Sequence, residues 1–213
     1  MTMFQHTLWH GTSAHLLPLI EEHGLGGRNV MSDWRVMDFL RWAFPQLGFD
    51  DQNYADPDYG DLLAIQAAAR GGAAGMNFIY GDVYAAGGYD KAANYARTAP
   101  ELLSFVRTVV EIAHRRKLTT IPDELASYPQ IENFFSLDPA PVVLKLPPIP
   151  MSSLRSEDGG DLPIDLFADG PVGAALLSQF AFRIDATIPM NELEVLTVTP
   201  VNQPNLTAAA YPS

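Results

Sequence analysis

The sequence has no cysteine among its 213 residues. That excludes disulfides, a thiol nucleophile and thiolate metal sites, and it leaves the redox compartment open. No run of about 18 uninterrupted apolar residues occurs, so no membrane-spanning helix and no membrane partner are expected. No basic-then-apolar stretch of the kind that marks a cleaved leader opens the chain. The expected location is cytoplasmic, and leaderless secretion or delivery into another cell is compatible with the same features. Positive charge is scarce: 13 Lys and Arg against 25 Asp and Glu give a formal net charge of −12. Such a chain repels a phosphate backbone at long range, which disfavours an extended nucleic-acid groove but leaves room for a small anionic cofactor held by a few backbone donors.

With 47% hydrophobic and 18% charged residues, the composition is that of a folded globular chain, and the length suits one domain with a full core. Residues 4–10 alternate loosely, as a strand with one buried face does. Residues 14–23 read as a helix with Leu16, Leu17 and Ile20 as its apolar stripe and Gly24 as its stop. The spacing of Trp34, Met37, Phe39, Leu40 and Ala43 predicts a second helix over 33–44, ended by Pro45. Residues 46–60 read as a solvated acidic loop, and 61–70 as a helix stopped by Gly71-Gly72. Thr98-Ala99-Pro100-Glu101 has the form of a capping box opening a helix to about Lys117. Its last residues, His114-Arg115-Arg116-Lys117, complement the helix dipole. One strand is clear at Val142–Leu146. Residues 177–185 alternate like a strand, Glu192–Thr199 reads as the last one, and no internal repeat is present. The expected organisation is a single domain over 1–200 with an irregular, proline-rich insertion at about 118–175, followed by a tail at 201–213.

Three blocks carry residue types suited to chemistry. The first is Leu8-Trp9-His10-Gly11-Thr12, an extended run leading into a helix. The second spans residues 78–96, with Tyr84 on a strand, a glycine-containing loop, and Lys91-Ala92-Ala93-Asn94-Tyr95 on a small-residue helix. The third is Met190-Asn191-Glu192-Leu193-Glu194. Together, and in this order, they resemble the poly(ADP-ribose) polymerase and diphtheria-toxin branch of the ADP-ribosyltransferases. That branch has a His-Gly-Thr strand, a helix reading Ser-Lys-Ser-Ala-Asn-Tyr at a fixed distance from a strand tyrosine, and an Asn-Glu-Tyr-Ile-Val segment opening a core strand. The resemblance covers roughly the first 25 residues, 78–96 and 188–199. Ala92 departs from it, standing where a serine often helps hold the cofactor's carboxamide.

The resemblance implies an α+β fold: an ADP-ribosyltransferase-like split β-sandwich, mostly antiparallel, with surrounding helices and an NAD cleft between its halves. It implies NAD as substrate and cleavage of the nicotinamide–ribose bond, with ADP-ribose passing to a macromolecular acceptor, protein rather than nucleic acid, as in mono-transfer by a toxin or effector. His10 would bond a ribose hydroxyl. Gly11 would bring its backbone to the carboxamide, Thr12 would line the adenosine side, and Tyr84 and Tyr95 would enclose the nicotinamide ring. Glu192 would be the catalytic acid, with Glu194 as its alternative. An oxocarbenium-like transition state explains the need for a carboxylate, and a planar cationic ring explains the aromatic faces.

Other readings stay open at this point. They are an NAD glycohydrolase, an RNA 2′-phosphotransferase on the same fold, and a non-catalytic module that binds ADP-ribose or a protein. His6 and His10 share one strand face, but no third ligand stands at a recognisable spacing, so no metal is expected.

Overall fold

A computed structural model describes residues 2–70, 82–98, 101–136, 140–163, 167 and 170–198. The stop at Gly71-Gly72, the start of the second block at 78–81 and the tail lie outside the described residues. So do the side chains of Thr98 and Glu101.

The chain is α+β, built on one six-stranded antiparallel sheet. Its strands are β1 (Trp9–Ser13), β2 (Val83–Ala86), β3 (Pro141–Lys145), β4 (Leu154–Ser156), β5 (Ala181–Ile184) and β6 (Glu194–Thr197). They are ordered β4-β5-β2-β1-β3-β6 across the sheet. The outer pairs hold register over three to five positions each. The central pair β1–β2 meets at one position alone, Trp9 opposite Ala86. The sheet is therefore two three-stranded halves joined at one end and parted at the other.

Among the described residues the helices are α1 (Leu17–His23), α2 (Val30–Asp33), α3 (Val36–Ala43), α4 (Tyr59–Ala69), α5 (Tyr89–Thr98), α6 (Glu101–Arg115), α7 (Thr120–Leu125), α8 (Pro129–Ser136) and α9 (Pro171–Gln179). None is long and apolar enough to cross a membrane. Several expected elements are shorter or shifted. The first helix begins as a 3-10 turn at Ala14–Leu16, with Pro18 tolerated in the first turn of α1. Residues 177–179 end a helix rather than start a strand. The stretch 118–175 is more regular than expected, since α7, α8 and β4 fall in it beside the expected strand β3. Prolines mask that structure because Pro129 and Pro171 open helices, where a missing N–H costs nothing.

Three apolar cores result. One lies between helices, where Phe39, Leu40, Ile65, Leu103, Ile112 and Ile131 are fully buried. It joins 36–68 to 102–134, two segments that flank β2 and α5 in sequence. A second covers one face of the sheet, with Leu8, Leu144, Phe182 and Ile184. The third is small: Ala92, Ala93 and Ala96 of α5 press on Ala86 and Val143 on the opposite face. His15, just after β1, sets its ring against Phe134 of α8, tying the helical core to the sheet.

The acidic loop and the basic helix end, read separately from the sequence as solvated loop and dipole cap, are each other's partners. Asp58, 7% exposed, accepts from Arg115 Nη2 at 2.6 Å and Arg116 Nη2 at 3.1 Å. Arg116 also reaches both oxygens of Asp56, at 2.8 and 2.6 Å. A bond from the Asp58 backbone N–H, then the Arg116 guanidinium, holds the Asp56 carboxyl below the usual carboxylate range. Asp58→Ala removes the acceptor that Arg115 and Arg116 share; with Arg115 half exposed and Arg116 still held by Asp56, it is expected to cost about 1–2 kcal/mol in urea unfolding. Because the Asp56 pKa is depressed in the fold, its contribution is present above about pH 4 and lost as pH falls through the folded value. An Asp58→Ala variant as stable as wild type contradicts this assignment.

Candidate functional site

The parted end of the central strand pair follows from hydrogen-bond parity. In an antiparallel ladder, alternate residues turn their peptide groups toward the same neighbour. Leu8 O accepts from Leu146 N at 3.0 Å and Ala14 N donates to Ala140 O at 2.9 Å. Leu8, His10, Thr12 and Ala14 therefore pair with the β3 side, while Trp9, Gly11 and Ser13 turn their N–H and C=O toward β2. On β2, Gly87 N donates to Phe180 O at 3.1 Å, so residues 83 and 85 face β5 while Tyr84 and Ala86 face β1. Extending the Trp9–Ala86 register by two residues would set Gly11 opposite Tyr84.

That pair does not form. The imidazole of His10 takes the place of Gly11, with Nδ1 2.7 Å from the Tyr84 carbonyl. A carbonyl only accepts, so Nδ1 carries the proton and Nε2 of the neutral ring is an acceptor. Desolvation lowers the His10 pKa and outweighs the bond to Tyr84, which raises it. The peptide edge of Gly11 is left facing the split with no strand partner among the described residues.

The glycine at 11 serves packing as well. A Cβ there would lie 2.0 Å from the Ala92 carbonyl and 2.8 Å from Ala96 N, so α5 can sit on β1 only where both surfaces are small. This adds a requirement to the one expected from the sequence, which was ligand approach.

Tyr95 stands on a flank of α5, 45% exposed, one turn after Lys91. The Lys91 ammonium lies 6.0 Å from the Tyr95 ring centre and donates to Gln179 O at 2.5 Å. Gln179 ends α9 and leads into β5, which places this flank on the β2 side of the split. Ala86 lies under α5 while Val83 and Ala85 belong to the opposite core, so strand alternation puts the Tyr84 side chain on the α5 face. Tyr84 thus lies on the α5 side of the sheet, as does Tyr95, the neighbour of the Ala96 N that crowds Gly11.

The other expected site residues lie elsewhere. Thr12 is buried on the face opposite α5, which removes its side chain from an open adenosine surface. Glu192 is exposed in a 3-10 turn, Met190–Glu192. Neighbouring residues of that turn border a groove with Glu21, Glu22 and His23 at the end of α1. Glu194 pairs with Lys145 Nζ at 2.8 Å. The strand they precede or open, β6, lies outside β3, two strand spacings or about 10 Å from β1, beyond the opposite flank of α5. The structure joins His10 to the Tyr84 carbonyl, sets Gly11 under the α5 backbone at Ala92 and Ala96, beside Tyr95, and leaves both glutamates out, because β5 rather than β6 pairs beside β2. Lys91, expected only as part of the second block, gains a partner from another element, the Gln179 carbonyl. Asp82 stands two residues before Tyr84 and therefore on the same face.

No protein-family model, curated protein or solved structure matches the chain.

With its pKa lowered by folding, His10 contributes stability that is present above about pH 6.5 and declines as pH falls, because the unfolded state takes up the proton first. Thermal unfolding from about pH 7.5 to 5 is expected to fall more steeply for wild type than for His10→Gln, whose amide retains a donor for the Tyr84 carbonyl and does not titrate. Equal slopes contradict a desolvated neutral imidazole.

Proposed function

We propose that the chain binds NAD in the split and passes its ADP-ribose to an acceptor, protein being favoured over nucleic acid. The observation that carries the reading is the peptide edge of Gly11, which has no strand partner among the described residues and lies beside Tyr84 and Tyr95. A primary carboxamide offers one donor and one acceptor side by side, the complement of a strand residue's C=O and N–H. Nicotinamide joins such a carboxamide to a flat cationic ring, and the exposed face of Tyr95, with Tyr84 across the opening, suits that ring. His10 Nε2, an acceptor in the neutral ring, suits a ribose hydroxyl. On this reading the split side of the site recognises the leaving group, and the fold is the ADP-ribosyltransferase-like sandwich, its two halves being those of the sheet. Delivery as a toxin or effector is part of the same proposal and rests on the resemblance alone.

A second reading has one observation in its favour. Because Glu192 and Glu194 stand away from the split, the chain serves as an NAD- or ADP-ribose-binding module unless another carboxylate supplies the acid.

Calorimetric titration separates carboxamide recognition from general nucleotide affinity. NAD is expected to bind at least about tenfold more tightly than its analogue with a carboxylate in place of the carboxamide, since the carboxylate has no N–H for the Gly11 carbonyl. Tyr95→Ala is expected to weaken NAD by a similar factor. Equal affinity for the two dinucleotides contradicts the reading, and label from NAD found on protein, or as free ADP-ribose, distinguishes transfer from hydrolysis.

A further inference from the structure

We infer that Asp82 is the carboxylate that faces the NAD ribose during cleavage, an inference that rests on the NAD reading above. Asp82 precedes Tyr84 by two residues on the same strand line, so its side chain emerges on the α5 face about 7 Å further along the split. Nicotinamide held by Gly11 and Tyr84 carries its ribose within reach of that position. The other nearby carboxylates are engaged or turned away. Asp185, opposite Asp82 when the Val83–Ile184 register is extended by one, accepts from Arg183 Nε at 3.0 Å and Nη2 at 3.3 Å and lies 3.7 Å from Arg155 Nε. Asp90 is exposed at the start of α5, and Glu194 is paired with Lys145.

Asp82 makes one ion pair among the described residues, to Arg183 Nη1 at 3.5 Å, and is 36% exposed. That contact is longer than a hydrogen bond, so the carboxylate is steered rather than consumed. Arg183 itself is fixed. It is 18% exposed, its bonds to Asp185 hold its pKa above the ordinary value, and its guanidinium fills the space beside Gly159. A Cβ on Gly159 would stand 2.9 Å from Arg183 Nη1. Arg183 is thus a positioning residue for Asp82.

The step balances as follows. The bond between ribose C1′ and the nicotinamide nitrogen breaks, and its electron pair stays on the ring nitrogen, which leaves uncharged. A hydroxyl, carboxyl or water oxygen bonds to C1′ and gives up its proton to solvent. The Asp82 charge stabilises the cationic sugar between the two events.

The test uses the full chain and measures nicotinamide release from NAD together with NAD affinity by calorimetry. Asp82→Asn is expected to slow release at least about 100-fold while changing affinity less than threefold. Asp82→Glu is expected to recover part of the rate, and Glu192→Gln to keep it. Turnover retained in a folded Asp82→Asn variant, or lost in Glu192→Gln instead, overturns the assignment and leaves NAD binding intact. Wild-type chain that binds NAD without releasing nicotinamide also overturns it and supports the binding module. Wild-type chain that does not bind NAD removes both readings together.

Discussion

The hydrogen bond from His10 Nδ1 to the Tyr84 carbonyl decides the shape of the molecule's centre. Two adjacent antiparallel strands normally zip, because each unpaired peptide group left out of water costs free energy. Here one carbonyl of the would-be ladder is satisfied by a side chain, so the strands separate after Trp9 and Ala86 without leaving Tyr84 O orphaned. The imidazole is bulky enough to hold the gap, and it stays neutral because burial disfavours its charge. What is displaced is the peptide edge of Gly11, which then faces the split with no strand partner among the described residues.

α5 is packed tightly against the sheet beside the split. Its three alanines lie flat on the sheet, and its backbone comes so close at Ala92 and Ala96 that residue 11 must be glycine. Lys91 ties the same helix to the end of α9, where an ammonium complements the helix dipole. Leu177 and Ser178 of α9 in turn crowd Gly87 and Gly88, so the loop between β2 and α5 is small for packing reasons. The helical core, stitched by Asp58 and two arginines, forms a separate layer behind this arrangement.

Much of this was legible in the residues. The histidine, the glycine and the two tyrosines form one expected group, of which the fold joins His10 to Tyr84 by a hydrogen bond and packs Gly11 against the helix that carries Tyr95. Helices α1, α3, α4 and α6 follow from apolar spacing and from Gly and Pro punctuation, whereas the mostly antiparallel α+β architecture is implied by the resemblance. Strand order was not legible: nothing in residues 177–199 says that the segment at 181–184 pairs beside β2 while the one at 194–197 runs along the far edge. The position of Glu192 depends on that choice, since a strand's neighbours are set by long-range pairing rather than by local pattern. Asp82 was passed over for the converse reason, as its meaning comes from a register that only the folded sheet supplies. The pairing of Asp56 and Asp58 with Arg115 and Arg116 likewise joins segments almost 60 residues apart.

Amide hydrogen exchange at Gly11 tests the central claim most directly. In β1, the amides of His10 and Thr12 pair with β3 and are expected to exchange slowly, while the Gly11 amide, facing the split, exchanges at least about a hundredfold faster and becomes protected when NAD or free nicotinamide is added. A Gly11 amide as protected as its neighbours in the unliganded chain, or one that stays unprotected in the presence of saturating NAD, contradicts a split that is held open by His10 and read through the peptide edge of Gly11.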